Sequence, residues 1–208
     1  MTATASLDEG LRAMGLDLEA LARERLMRHL ELVAKWNRVH NLTAVREPEQ
    51  MVVLHTLDSL SLLPHLGSAK SLADVGTGGG FPGIPVAVAR PDVEVTLIDS
   101  SHKKCSFLEQ AKTELALGNV TVVCERVEQW KPERRFDAVV SRAFAELSDF
   151  VAQAAQLVAP GGRMLAMKGV HPFEEIARMP ASHRVAQVVE LKVPRLDARR
   201  HLVFLEAA

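Results

Sequence analysis

At 208 residues, 48% hydrophobic and 25% charged, the chain has the composition of one globular domain with a sizeable core. A formal net charge of −1 excludes a protein held to nucleic acid by bulk charge, so any such contact must come from local basic patches. No apolar run of membrane-spanning length and no signal-type start occur, and Cys105 and Cys124 lack metal-ligand spacing, which points to a reducing cytoplasm.

Residues 7–18 have a weak helical period broken by Gly15. From 18 to 39 the period is clear, with Leu18, Leu21, Ala22, Leu26, Leu30, Val33 and Ala34 as the apolar stripe and Trp36 beside it. Arg23, Arg25, Arg28, Lys35 and Arg38 stand there against Glu24 and Glu31. That polar face is either solvated or turned toward phosphates. Asn41 and Thr43 suit a turn or cap, and Pro48 fits the first position of a helix to about residue 63. Its inward stripe is Met51, Val52, Leu54, Leu57, Leu60 and Leu63. His55 and Asp58 are neighbours on its surface, expected to hydrogen-bond to each other or to adjacent loops.

Residues 71–75 read as a short apolar strand that breaks into Gly76-Thr77-Gly78-Gly79-Gly80. Phe81-Pro82-Gly83 then opens a helix over 84–89, and a strand over 93–98 ends on Asp99. Strand, glycine turn, helix and strand with a terminal acid form the half-site for a nucleoside-bearing cofactor. A helix follows over 103–117, then strands at 120–124 and 136–140. A further helix over 147–158 stops at Pro160-Gly161-Gly162, before a strand over 163–167 that runs into Lys168-Gly169. The final strand-like runs, 186–193 and 201–205, are joined by too few residues for a parallel crossover and should pair antiparallel at one edge. The repeated strand–helix units predict a doubly wound, mostly parallel sheet.

Two readings compete for the glycine turn. G-x-G-x-x-G fails in register because Phe81 takes the sixth position from Gly76. Asp74, Gly76, Gly78 and Gly80 do match D-x-G-x-G-x-G, the pattern of Rossmann-like class I methyltransferases that use S-adenosylmethionine. The expected fold is therefore α/β: a seven-stranded, mostly parallel sheet with an antiparallel C-terminal hairpin. Residues 66–208 would carry the S-adenosylmethionine-binding domain and residues 1–65 an N-terminal helical extension packed on it. The [N/D]-P-P-[Y/F] signature of exocyclic-amine methylation is replaced by Ser141-Arg142-Ala143-Phe144, and the two cysteines read as small core residues rather than nucleophiles.

The chain is more specific than this superfamily pattern. Trp36-Asn37-x-x-x-Asn41-Leu42-Thr43, His55-x-x-Asp58-Ser59, the run from Asp74 to Pro85, Leu97-Ile98-Asp99-Ser100, Ser141-Arg142-Ala143, Lys168-Gly169 and Asp197-x-x-Arg200-His201-Leu202-Val203 together resemble the RsmG (GidB) family. The resemblance covers nearly the whole chain in order. It implies an enzyme that methylates guanine N7 in 16S ribosomal RNA of the small subunit, with S-adenosylmethionine as cofactor; nothing in the sequence demands an oligomer or offers metal-ligand spacing, so a monomer without a metal is expected. Gly76, Gly78 and Phe81 would shape the methionine and ribose pocket, Asp74 would meet the ammonium, and Asp99 the ribose. Val127 and Glu128 would face the adenine. Arg142 would sit where cofactor and substrate meet, with Lys168 and Asn41 as further catalytic candidates. Arg38, Lys168, Arg199 and Arg200 would position RNA, the last two in a patch with Lys192 and Arg195. Arg126 either contacts substrate or pairs with Glu125 or Glu128. The alternatives are a methyltransferase for another RNA, a protein or a small molecule, and a non-methylating dinucleotide-binding protein.

Overall fold

The computed structural model describes residues 2–142, 144 and 146–208; Ala143 of the Ser141-Arg142-Ala143 motif lies outside the described residues. Its strands are β1 (Ser71–Val75), β2 (Glu94–Ile98), β3 (Val120–Val123), β4 (Phe136–Ser141), β5 (Val158–Lys168), β6 (His183–Leu191) and β7 (Arg200–Ala207). They form one seven-stranded sheet in the order β3-β2-β1-β4-β5-β7-β6. Neighbours from β3 to β5 are parallel, while β7 runs antiparallel to both β5 and β6. The expected edge hairpin is thus present.

The period-2 alternation of the strands sorts their side chains onto two faces. Leu72, Val140, Leu165 and Leu202 join one apolar cluster, whereas their neighbours Ala73, Val139, Ala166 and Val203 join the other. The first cluster is covered by α1 (Ala3–Ala13), α2 (Ala20–His40), the helical stretch from α3 (Pro48–Met51) through α4 (Asp58–Leu60) and α5 (Leu63–Leu66), α6 (Gly83–Ala89) and α7 (His102–Glu114). The second lies under α8 (Leu147–Ala154). Leu7 and Leu11 of α1 share their cluster with Leu202 of β7, so the N-terminal helices and the sheet have a common core. Among the described residues no helix is long and apolar enough to cross a membrane.

Four local expectations are corrected. In α2, Leu21 is 53% exposed and Ala34 lies on the surface; the buried line runs through Leu26, His29, Leu30, Val33 and Asn37. Two polar residues therefore occupy the core-facing stripe. The helix expected over 48–63 is interrupted by a π-helical turn over Val52–Leu57. Pro160-Gly161-Gly162 do not stop a helix but lie within β5, where the register with β4 slips; a Cβ on Gly162 would stand 2.9 Å from the Phe136 and Asp137 carbonyls. The short helix α9 (Phe173–Ala177), between β5 and β6, is absent from the sequence reading.

Candidate active site

From β1 the chain goes to one side for β2 and β3, then returns on the other for β4. This is the switch point of a doubly wound sheet, where a crevice opens beyond the strand ends. There Gly76, Gly78 and Gly80 hold φ of 71°, 59° and 84°, conformations that cost an L side chain roughly 1–2 kcal/mol. A Cβ on Gly76 would meet nothing within 4 Å, whereas one on Gly80 would stand 2.5 Å from Ile84 Cδ1. The turn is open in front and closed behind.

Asp74 is wholly buried and fastens this turn: Oδ2 accepts from Thr77 Oγ1 at 2.6 Å and from the Gly83 amide at 2.7 Å. Burial holds its pKa up at about 6 against those two bonds. Oδ1 is buried and unpartnered among the described residues. A leftover acceptor behind a glycine cradle fits a nucleoside cofactor that also carries a cationic amine. At the end of β2, Asp99 is 7% exposed; Oδ2 accepts from the Gly78 amide at 3.1 Å and from Lys104 Nζ at 3.3 Å, and Oδ1 from the Ser101 amide at 2.9 Å.

Gly76, Asp99, Lys104, Arg126, Val127 and Glu128 line a cavity of about 280 Å³, which we call the donor cleft. Arg126 and Glu128 are exposed and 3.9 Å apart, a loose pair on the rim. Of the residues singled out for the cofactor, Asp74, Gly78 and Phe81 do not line it. Arg142 lies in the neighbouring cleft.

That second cavity, the acceptor cleft, measures about 360 Å³ and is lined by His55, Asp58, Arg142, Lys168 and Arg200 with Leu54 and Met167. The loop after β4 divides the two, since Phe144 lines the donor cleft while its carbonyl accepts from Lys168 Nζ at 3.2 Å. Asp58 is buried between two cations: Oδ2 takes Arg142 at 3.2 Å and Oδ1 takes Arg200 at 3.0 Å. Arg142 is fixed from two more sides. Its Nη1 donates to the Leu54 carbonyl at 3.1 Å, and its guanidinium lies 5.2 Å from the centre of the Phe81 ring. The Leu54 carbonyl is free for this because of the π-turn: the Asp58 amide, its partner in an ordinary helix, bonds Val53 and His55 instead. Lys168 Nζ also pairs with Glu175 Oε2 at 2.7 Å.

His55 and Asp58 therefore do not bond each other. The Leu54 carbonyl can only accept, so His55 Nδ1–H donates to it at 3.0 Å, and Nε2 accepts from Thr43 Oγ1 at 2.8 Å. Burial and the charge of Arg142 push its pKa down to about 4. Thr43 is itself held by its amide donating to Asn37 Oδ1 at 3.0 Å, which gives the Trp36–Thr43 motif a physical role in closing the loop after α2. On the far side of Phe81 stands His29, wholly buried, with Nε2–H donating to the Gly79 carbonyl at 2.8 Å. Burial lowers its pKa to about 4. The Phe81 ring lies between the two imidazoles, at centroid distances of 4.6 and 4.7 Å.

Asn41, at the left-handed end of α2, and the exposed Arg38 and Arg199 line neither cleft. The basic patch near the C-terminus divides: Arg200 turns to Asp58, and Arg195 turns to Ser6 Oγ and to Glu9 and Glu49, at 3.9 and 3.8 Å. Cys105 lies beneath the donor cleft, its thiol donating to the Asp99 carbonyl. Sequence reasoning missed His29, although a polar residue in register with Leu26 and Val33 was a usable signal. It also missed the double pairing of Asp58, which nothing local in the sequence announces.

The family model for rRNA small subunit methyltransferase G matches residues 22–203. Proteins named ribosomal RNA small subunit methyltransferase G are similar over nearly the whole chain. The one from Aromatoleum aromaticum is 55% identical, covering 97% of this chain and 98% of that protein; the one from Nitrosospira multiformis is 49% identical, covering 100% and 99%. Among solved structures, the O-methyltransferase TomG from Streptomyces achromogenes gives a TM-score of 0.56 at 16% identity over 86% of this chain and 89% of that one. The ribosomal protein L11 methylase from Lactobacillus delbrueckii gives 0.55 at 18%, over 73% and 76%. These two likenesses speak to the fold alone. The family match and the near-full-length relatives speak to the molecule, and the chain belongs to the rRNA small subunit methyltransferase G family.

Proposed function

We propose that this protein methylates N7 of a guanine in 16S rRNA of the small ribosomal subunit, with S-adenosylmethionine as the donor, acting as a cytoplasmic monomer. The observation that supports the N7 reading is that, among the described residues, neither His55 nor Asp58 of the acceptor cleft is disposed to take a proton. His55 is held neutral with both ring nitrogens committed, and Asp58 is shared by two arginines. An exocyclic amine or a ring carbon would need such help; a lone pair needs only placement.

S-adenosylmethionine supplies a methyl group made electrophilic by its sulfonium. The Gly76–Gly80 turn would let backbone approach it, Asp74 would hold its ammonium side directly or through water, Asp99 would take the ribose hydroxyls, and Val127 and Glu128 would border the adenine. Arg142 and Lys168 would orient the base, and Arg200, Arg126, Arg199, Arg38 and Asn41 would meet the RNA around it. Asp58 keeps two of the cleft's cations compensated, which suits a step that moves positive charge onto the base. Residues 1–65 would act as the helical extension that offers Arg38 and Asn41, and residues 66–208 would carry the donor site. The loop after α2 supports this, since Val45 borders the acceptor cleft.

The test is a mass-spectrometric map of modified nucleotides in 16S rRNA from cells with and without the gene. Loss of one N7-methylguanine on deletion, restored by the wild-type gene, is expected; an unchanged map overturns the reading.

A further inference from the structure

The segment between β5 and β6 meets the acceptor cleft only through Gly169 and the Glu175–Lys168 pair in the contacts described above. It carries Val170 and Phe173, 77% and 73% exposed. Phe173 is nonetheless held in place. Its ring stacks on the His171 imidazole at 3.8 Å and 28°, and His171 meets His201 edge-on at 5.5 Å. His201 Nδ1–H in turn donates to the Gly169 carbonyl at 3.1 Å, and Pro172 is buried between the two stacked residues in sequence. One face of the Phe173 ring is backed by this array while the residue as a whole stays open to solvent.

The segment is also tied to the acceptor cleft. Glu175 of α9 takes both Lys168 Nζ and the Leu147 amide, and Gly169 lines the cleft wall. Lys168 pairs across the sheet with His201, so the ring array, Lys168 and its partner Glu175 are joined through one end of β5 and β7. A fixed, exposed aromatic ring at the edge of a substrate cleft is the surface that proteins use to take the face of an unpaired base.

We propose that Phe173, backed by His171, is a stacking platform for an unpaired rRNA base adjacent to the methylated one. The inference rests on the acceptor-cleft reading above and adds to it the site that holds a neighbouring nucleotide. The tie of this segment to the acceptor cleft of a chain from an rRNA methyltransferase family favours RNA over a ribosomal protein as the occupant, and planarity is what the test exploits.

Methylation kinetics on small subunits from cells lacking the modification decide it, with Phe173→Ala, Phe173→Leu and Phe173→Trp compared to wild type. Ala and Leu are expected to raise KM for subunits about 10-fold or more, with kcat little changed, because stacking contributes equally before and during methyl transfer. Trp is expected to restore the wild-type KM. Thermal stability and its rise with S-adenosylhomocysteine should be the same in all four proteins. A wild-type KM in Phe173→Ala overturns the platform, and so does full rescue by Leu, the result for an apolar contact with a ribosomal protein. A wild-type protein that methylates no subunit overturns the function proposed above and the platform with it.

Discussion

Around the donor cleft the polarity comes largely from backbone, whereas around the acceptor cleft it comes from side chains spent on one another. The glycine turn, the Gly78 and Gly83 amides and the Gly79 carbonyl are fixed by buried Asp74, Asp99 and His29. Next door, Asp58 holds Arg142 and Arg200, and Glu175 holds Lys168. A backbone cradle is local: it needs glycines at fixed spacing in one short stretch. A side-chain array is global, since its members come from the start of α4, from α9 and from the ends of β4, β5 and β7, and only the topology assembles them.

If the acceptor side depends on charge held in place, Arg142→Ala should cut methylation of small subunits by roughly 10²–10³-fold, the size seen when a preorganised donor is lost. S-adenosylhomocysteine should still raise its Tm, because the donor side is built separately; near-wild-type turnover would break the comparison. Asp58→Asn removes the charge that two arginines share. Since both arginines are about a quarter exposed, the stability loss should fall at or below about 3 kcal/mol, with a rate loss of about 10-fold or more. Loss of donor affinity in the same variant would mean that the clefts are not independent.

Acidity probes the buried groups on both sides. His29 and His55, held near 4 against an ordinary 6.5, stay neutral in the folded protein while an unfolded chain would bind protons. Each therefore withdraws stability as pH falls from about 6.5 to 4. Asp74 acts in the opposite sense, taking its proton near pH 6 when folded but near 3.8 when unfolded, and so offsets one of the two. The net expectation is a fall of about 2–3 kcal/mol across that interval, read by chemical denaturation at pH 7 and 4.5. Flat stability would mean that the histidines are not buried neutral. The smallest effect is expected from His29→Leu, which strips the Gly79 carbonyl of its donor. Calorimetry should show about 10-fold weaker S-adenosylhomocysteine binding, with KM for subunits unchanged and part of the loss recovered by His29→Gln.

This contrast also explains what the sequence disclosed. The donor turn was legible because only glycine suits Gly76, Gly78 and Gly80 and because Asp74 and Asp99 terminate apolar strands. The sheet was legible from the same alternation, down to the edge hairpin. The acceptor cleft was not: Asp58 and Arg142 are 84 positions apart in the chain, and the partners expected of Asp58 were the histidine one turn away or adjacent loops. The resemblance marked Arg142 and Lys168 without showing what holds them. Residues 160–162 misled for a related reason, as a proline and two glycines read as a stop when the fold uses them for a slip in strand register.

The π-turn over Val52–Leu57 has an evolutionary consequence. It holds one residue more than an ordinary turn, and deleting any one of them would let the helix regularise. Each residue turns a helix by about 100°, so Asp58 and the Leu54 carbonyl would no longer face Arg142 together. Descendants of this chain can trade side chains at 52 or 53 for others of like volume, but they cannot shorten the stretch. What is inherited there is a number of residues before it is a choice of residues.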